Sequence, residues 1–253
     1  MQRAIDLNAD LGEGYGAWRM GDDEAMFSLV TSANVACGFH AGDPLTMHRS
    51  VRLAVERGVA LGAHPGYRDR AGFGRRELAV PADEIAAEVV YQLGALAALA
   101  RAAGTAVRYV KAHGALYHRL DADRAAAVAV AEALAGYDPA IVVLGAPDGE
   151  FERAARETGL GYAREAFIDR GYLADGRLVP RTEPGALVHE PSAAVDRALE
   201  LAETGGLVAH DGSRVDLAPD SLCLHGDTPG AVALARAVRA ALDAAGHELR
   251  PFA

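Results

Sequence analysis

The sequence predicts an α/β protein of one domain spanning residues 1–253. Its fold is read as a seven-stranded parallel β/α barrel of the TIM-barrel type, with an open doubly wound sheet as the alternative. Three observations carry this reading. Short apolar runs alternate with helical patterns from end to end, and repeated β–α alternation builds a parallel sheet. The runs are continuously apolar, as in strands covered on both faces. Seven of them fit within 253 residues, the size of one closed barrel, and no linker, low-complexity tract or fixed-period repeat divides the chain.

The elements follow in order. A strand is expected at residues 4–7 and a helix at 22–32. The strand at 33–37 leads to a helix at 44–57, with Asp43 as N-cap and Pro44 as first helical residue. The strand at 59–63 precedes the longest helix, 81–103, in which Ile85, Val89, Leu93 and Leu96 recur at helical spacing. Strands at 107–111 and 140–144 bracket a helix at 122–134, and a helix at 148–157 leads to the strand at 162–168. Helices at 191–203 and 229–245 flank the last strand, 222–225. Two stretches break the alternation. Residues 207–210 and 214–217 read as a hairpin turned on Asp211-Gly212, a pair that accepts positive φ. Residues 172–180, around Asp175-Gly176, form a second excursion.

Composition narrows the function. A net charge of −10 argues against nucleic acid or anionic lipid as the main partner. No run of about 18 apolar residues suggests a membrane span, and the first residues lack the apolar core of a signal peptide, so a cytoplasmic enzyme is expected. Cys37 and Cys223 are too few for a disulfide framework and read as small buried hydrophobes. Of the 25 basic residues 24 are arginine, and Lys111 is the single lysine; Asn8 and Asn34 are the only asparagines. In so Arg-rich a chain a lone lysine is either chance or a site that needs a compact ammonium.

Ligands of parallel β/α sheets bind at the carboxyl ends of the strands. Here those ends carry Asn8-Ala9-Asp10-Leu11-Gly12-Glu13, Gly38-Phe39-His40, His64-Pro65-Gly66, Lys111-Ala112-His113-Gly114, Glu165 with Asp169 and Arg170, and His225-Gly226-Asp227. One histidine at such a place is usually a satisfied structural residue. Four of them beside glycine, His40, His64, His113 and His225, point to an active site. His48, His189, His210 and His247 read as surface or packing residues, and His118 stays open. Asp6, Asn8 and Asp10 alternate and so share one face, as a buried polar network or as a divalent-cation site. Tyr15, Trp18 and Met20 form a lid or simple packing. The phosphate-binding Gly-x4-Gly-Lys-Ser/Thr loop, the dinucleotide Gly-x-Gly-x-x-Gly, the Gly-x-Ser-x-Gly elbow and the common zinc motifs are absent, so any nucleotide site is built in another way.

Asp6-Leu7-Asn8-Ala9-Asp10-Leu11-Gly12-Glu13 and Asn34-Val35-Ala36-Cys37-Gly38-Phe39-His40-Ala41-Gly42-Asp43 resemble the LamB/YcsF family. The likeness continues through Gly62-Ala63-His64-Pro65, Gly72-Phe73-Gly74-Arg75, Lys111-Ala112-His113-Gly114-Ala115-Leu116-Tyr117, Glu165 to Tyr172, Leu178-Val179-Pro180-Arg181 and Cys223 to Asp227, and so covers essentially the whole chain. The sequence departs from the family pattern at Ala112 and Arg68, where proline is usual, and at His118, where asparagine is usual. The resemblance implies a barrel related to sugar deacetylases. It also implies ATP-dependent opening of 5-oxoproline to glutamate, with ATP and Mg²⁺, by a multi-subunit 5-oxoprolinase in which this chain works beside the B and C subunits. Carried onto these residues, catalysis falls to Asp10, His40, His64, Lys111 and His113, and substrate binding to Asn8, Glu13, Glu165, Arg170, His225 and Asp227. In that reading Lys111 neutralises transferring phosphate, His64 and His113 carry protons, Asp10 and Glu13 hold Mg²⁺ or orient a histidine, and Arg170 holds the substrate carboxylate. The competing readings are a metal-dependent amidohydrolase that uses Asp10 and two histidines as ligands without ATP, and a non-catalytic substrate-binding protein within the complex.

Overall fold

The computed structural model describes residues 4–188, 190–226 and 230–253. Six strands, β1 (Asp6–Leu11), β2 (Ser32–Ala36), β3 (Ala60–His64), β4 (Tyr109–Val110), β5 (Val142–Gly145) and β6 (Gly161–Phe167), pair in sequence order. A two-stranded hairpin, β7 (Gly206–Val208) and β8 (Arg214–Asp216), then intervenes, and β9 (Ser221–His225) closes the barrel between β6 and β1. Every barrel pairing is parallel. The closed topology is the expected one, and the open sheet is excluded.

Helices α1 (Asp23–Phe27), α2 (Pro44–Arg57), α3 (Ala82–Ala102), α4 (Gly114–Ala122), α5 (Arg124–Tyr137), α6 (Glu150–Glu157), α7 (Pro191–Thr204) and α8 (Ala231–Ala244) surround the strands. Helix α2 starts and stops where its sequence says. Asp43 accepts from the backbone N–H groups of Leu45 and Thr46, Pro44 opens the first turn, and Gly58 ends it in the left-handed region. Helix α3 has the length and apolar character of a membrane span. It is a core helix: Ile85, Val89, Leu93 and Leu96 are buried against the body of the protein, and Asp83, Glu84, Glu88 and Arg101 interrupt its apolar run.

Three elements differ from the sequence expectation. The helix expected at 22–32 ends at Phe27, because Ser32 already belongs to β2. Helix α4 has no counterpart in that expectation, which places one helix at 122–134; Asp123 ends α4 and caps α5 through Ala125 and Ala126, so the expected helix starts at Arg124. Strand β1, expected at 4–7, runs to Leu11, and this shift decides the character of the barrel. Leu7, Ala9 and Leu11 pack outward into the main apolar core, while Asp6, Asn8 and Asp10 alternate with them on the other face. The barrel interior is therefore polar on this side, although the strands read as uniformly apolar.

That interior is a hydrogen-bonded network, so its burial is compatible with stability. Asp6 accepts from the hydroxyls of Thr31, Ser32 and Ser221. Burial nevertheless pushes its carboxyl up to about 6, against those three donors. Asn34 donates to Asn8 at 2.7 Å and to Asp10 at 2.8 Å, Asn8 donates to Ser221 at 2.6 Å, and the Tyr109 hydroxyl donates to Asn34 at 2.7 Å. The two asparagines of the chain thus meet inside the barrel. Asp6 and Asn8 belong to the polar-network reading. Tyr109 fits because β3 presents Gly62 beside it; a Cβ there would run into the ring. Leu144, Ala163 and Phe252 pack around Tyr109 as a small apolar plug.

The hairpin and the excursion at 172–180 both form, the latter closed by a bridge between Tyr172 and Leu178. Tyr15 and Trp18 bridge each other across a tight turn with Arg70 stacked on Tyr15, and Trp18 is 72% exposed, so this loop is not core packing.

Candidate active site

The carboxyl ends of β1, β3, β4, β6 and β9 converge on a cleft of about 1030 Å³. Asp10, His64, Lys111, His113, Glu165, Arg170 and His225 all line it, as the sequence expects, and Arg75, His118 and Arg181 line it too. Register explains the convergence: Asp10 on β1 lies opposite His225 on β9 and opposite Asn34 on β2. Asn8 lies one layer deeper. Asp227 and His189 fall outside the described residues.

Lys111 is 1% exposed and enclosed by acceptors. Its ammonium lies 3.0 Å from Asp10 Oδ1, 3.0 Å from Glu165 Oε2, 3.3 Å from Asn8 Oδ1 and 3.0 Å from Cys223 Sγ. Burial opposes its charge, but Asp10 and the other acidic groups around it hold its pKa well above the ordinary lysine value. Burial likewise pushes the Asp10 carboxyl up, and His64 and Lys111 outweigh it, holding Asp10 well below the usual carboxylate range. The lone lysine is thus the counter-ion of two buried carboxylates, a place where a planar, forked guanidinium does not fit. Cys223, read from the sequence as a small hydrophobe, faces this ammonium; Cys37 is buried with its thiol pushed up to about 12.

Three histidines form one buried cluster. The His40 and His113 rings stack at 3.7 Å and 4°, and His64 meets each of them edge-on. His64 Nε2 lies 3.3 Å from Asp10 Oδ2 and 3.0 Å from His113 Nδ1. Glu13 Oε1 lies 3.6 Å from His40 Nε2 and 3.5 Å from His113 Nδ1. Burial, and then the neighbouring histidines, hold His40 and His113 well below the ordinary imidazole pKa, so both rings are neutral at pH 7. Gly74, at φ +64°, lets the chain cross this cluster; a Cβ there would come 2.7 Å from His40 Cβ and 2.9 Å from His113 Cδ2.

His225 stands apart from that cluster, stacked on Phe167. Its Nδ1 lies 2.6 Å from Asp169 Oδ2, and Arg181 donates to its Nε2 at 3.2 Å. An arginine only donates, so Nε2 carries the lone pair and Nδ1 carries the proton. Asp169, noted from the sequence at the end of β6 without a role, is thus the partner of His225. Arg170 is 4% exposed. Its Nε donates to Ala186 O and its Nη2 to Val179 O, which pins the 172–187 excursion to the barrel. Burial, and then Arg181, push its pKa down to about 10. Arg75, Arg170 and Arg181 together give this wall a positive field. His118 lies on α4 in the same wall, which fits its open status. Arg68 covers the Phe39 ring and pairs with Glu88 at 2.7 Å, so its departure from proline ties this loop to α3. Asn34, Arg75 and Arg181 are the residues of this region that sequence reasoning misses. Each lies in or beside a quoted motif, and the rarity of asparagine is a usable signal for Asn34.

The sequence profile of the LamB/YcsF family matches residues 5–253. The chain belongs to the LamB/YcsF family. Among its relatives, the 5-oxoprolinase A subunit of Mycobacterium avium is 56% identical over 248 residues, 98% of each chain. The crystal structure of the lactam utilization protein from Thermus thermophilus superposes with a TM-score of 0.94 at 47% identity, covering 99% of this LamB/YcsF chain and 100% of that one. A family 4 carbohydrate esterase from Streptomyces lividans, solved with acetate, superposes with a TM-score of 0.50 at 9% identity over 99% of this chain and 93% of its own, a likeness of fold alone. The expected relation to deacetylase-type barrels holds at that level.

Proposed function

We propose that this chain is one component of an ATP-dependent 5-oxoprolinase and opens 5-oxoproline to glutamate in the cytoplasm together with the B and C subunits. The names of its full-length relatives support a role in 5-oxoproline metabolism. The observation that carries the chemical reading is an ionised Asp10 at the base of a cleft whose wall bears Arg75, Arg170 and Arg181. Such a site suits an anionic substrate that must be attacked by water.

A five-membered lactam is a resonance-stabilised amide. When its oxygen takes the terminal phosphoryl group of ATP, with Mg²⁺, ADP leaves and the ring carbon becomes electrophilic. Water adds to that carbon and gives its proton to a base. The ring C–N bond then breaks, the nitrogen takes a proton, and a second water splits the acyl phosphate to glutamate and phosphate. Asp10 is the base, held ionised by Lys111 and oriented by Asn34. His225, backed by Asp169, takes up and returns a proton at the ring nitrogen. The arginine wall meets the substrate carboxylate and the transferring phosphate. Lys111 acts here through the carboxylates it holds, since its donors are already engaged. Proton transfer moves from His64 and His113 to Asp10 and His225, because the remaining nitrogens of the former pair face each other at 3.0 Å.

The test is an assay of ADP and glutamate with 5-oxoproline and ATP, with and without the B and C subunits. The full set should release both products, and the isolated chain, which lacks a recognisable nucleotide loop, should release little glutamate. Robust turnover by the chain alone, or turnover that does not consume ATP, would overturn the reading.

A further inference from the structure

His64 and His113 share a contact that neutral rings cannot make. His113 Nε2 lies 2.8 Å from Phe73 O, and His64 Nδ1 lies 2.8 Å from Lys111 O. A carbonyl oxygen only accepts, so both of these nitrogens carry the ring proton. With both rings neutral, His113 Nδ1 and His64 Nε2 would be bare lone pairs facing each other at 3.0 Å. Two carboxylates stand beside them. Asp10 Oδ2 is 3.3 Å from His64 Nε2, and Glu13 Oε1 is 3.5 Å from His113 Nδ1 and 3.6 Å from His40 Nε2. Neither nitrogen of His40 has a hydrogen-bond partner, and the residue is 1% exposed. The cluster needs a positive centre, which is either a proton on His64 Nε2 or a bound cation.

We propose that Glu13, His40, His64 and His113 bind one divalent transition-metal cation, with Asp10 at its edge. The four donor atoms all lie within 4.8 Å of one another. Metal–nitrogen bonds of about 2.0–2.1 Å in a tetrahedral site place neighbouring donors roughly 3.3–3.4 Å apart. The contacts at 3.0, 3.5 and 3.6 Å bracket that edge length. The carbonyls of Phe73 and Lys111 are the outer partners that metal-binding histidines characteristically use to fix the tautomer and aim the bare nitrogen. Three imidazoles and one carboxylate suit zinc, cobalt or nickel. Magnesium prefers an all-oxygen octahedron, so this is a different site from one for the Mg²⁺ of ATP. The cation would lie beside Asp10, where it would supply Lewis acidity. The inference rests on the tautomers and holds whether or not the substrate is 5-oxoproline.

The experiment uses the full-length chain stripped with a chelator. Titration with Co²⁺ should develop visible ligand-field bands that saturate at one equivalent and are displaced by Zn²⁺. Glu13→Gln and His113→Gln should each weaken Co²⁺ binding by more than the roughly 10–100-fold that outer-shell changes cost, with circular dichroism showing that both variants fold. Should either variant fail to fold, nitrogen-resolved NMR of the wild-type histidines decides alone: Zn²⁺ should shift His113 Nδ1 and His64 Nε2 and leave their protonated partners in place. Absence of saturable binding by the folded wild type, binding unchanged in the folded variants, or a metal-insensitive imidazolium shared between His64 and His113 would each overturn the proposal.

Discussion

Replacing Lys111 tests how the buried charges hold one another. The ammonium lies 3.0 Å from both Asp10 and Glu165 in a site closed to water. At an effective dielectric of about 20 each contact is worth roughly 5 kcal/mol before desolvation is counted. Burying the three ions costs several kcal/mol apiece, so the net benefit of the cluster is small, whereas removing only its cation leaves two uncompensated carboxylates. Lys111→Met should therefore lower the unfolding free energy by about 3–5 kcal/mol. Lys111→Arg keeps the charge but overfills the site, and should cost about 1–3 kcal/mol. Both should reduce turnover of the assembled enzyme by roughly 10²-fold or more, because Asp10 loses its position and its depressed pKa. The assays are urea unfolding at pH 7 and glutamate release with 5-oxoproline. A Lys111→Met protein within about 1 kcal/mol of wild type, or with near-normal turnover, would refute the view that Lys111 balances two buried carboxylates.

Asp6 should make stability depend on pH. Its folded carboxyl titrates near 6 rather than at 3.8, so the fold keeps a proton that the unfolded chain has released. That contribution is fully present below pH 3.8 and is lost as pH rises through about 6, a change of about 3 kcal/mol. Urea unfolding from pH 3.5 to 7.5 should show the stability of wild type falling by that amount relative to Asp6→Asn, and a pH-independent difference would contradict it. Tyr109→Phe removes the donor to buried Asn34 and should cost about 1–3 kcal/mol; an unchanged denaturation midpoint would show that the interior network does not need it. His225→Gln should lower kcat while leaving the fold intact, and an unaltered kcat would remove His225 from proton transfer.

The barrel is legible because strands covered on both faces leave continuous apolar runs, and the proline- and Asp-marked helix starts at Pro44 and Pro191 fall where the sequence puts them. Strand β1 reads as too short for the opposite reason. Asn8 and Asp10 look like loop residues until their partners on β2 and β9 are known, and only closure of the barrel supplies these. Helix α4 is hidden by its glycine start and mixed polarity. Most strand-end residues assigned to the site do line the cleft, since the carboxyl ends of parallel strands must converge. Lys111 is visible through composition, but its neighbours Glu165 and Cys223 come from strands more than 50 residues away. Arg170 is visible as a residue but not as an anchor, because the carbonyls of Val179 and Ala186 leave no mark in sequence. The facing lone pairs of His64 and His113 depend in the same way on two backbone oxygens.

The central claim is that Asp10 is the base that opens the lactam. Its most direct test is the paired release of ADP and glutamate from 5-oxoproline and ATP by the assembled complex, with this chain as wild type or as Asp10→Asn. Equal amounts of both products are expected from the wild type, and a loss of glutamate release of about 10²–10⁴-fold in the variant, with unfolding confirming that the variant is folded. Glutamate release within a few-fold of wild type in the folded Asp10→Asn complex would contradict it.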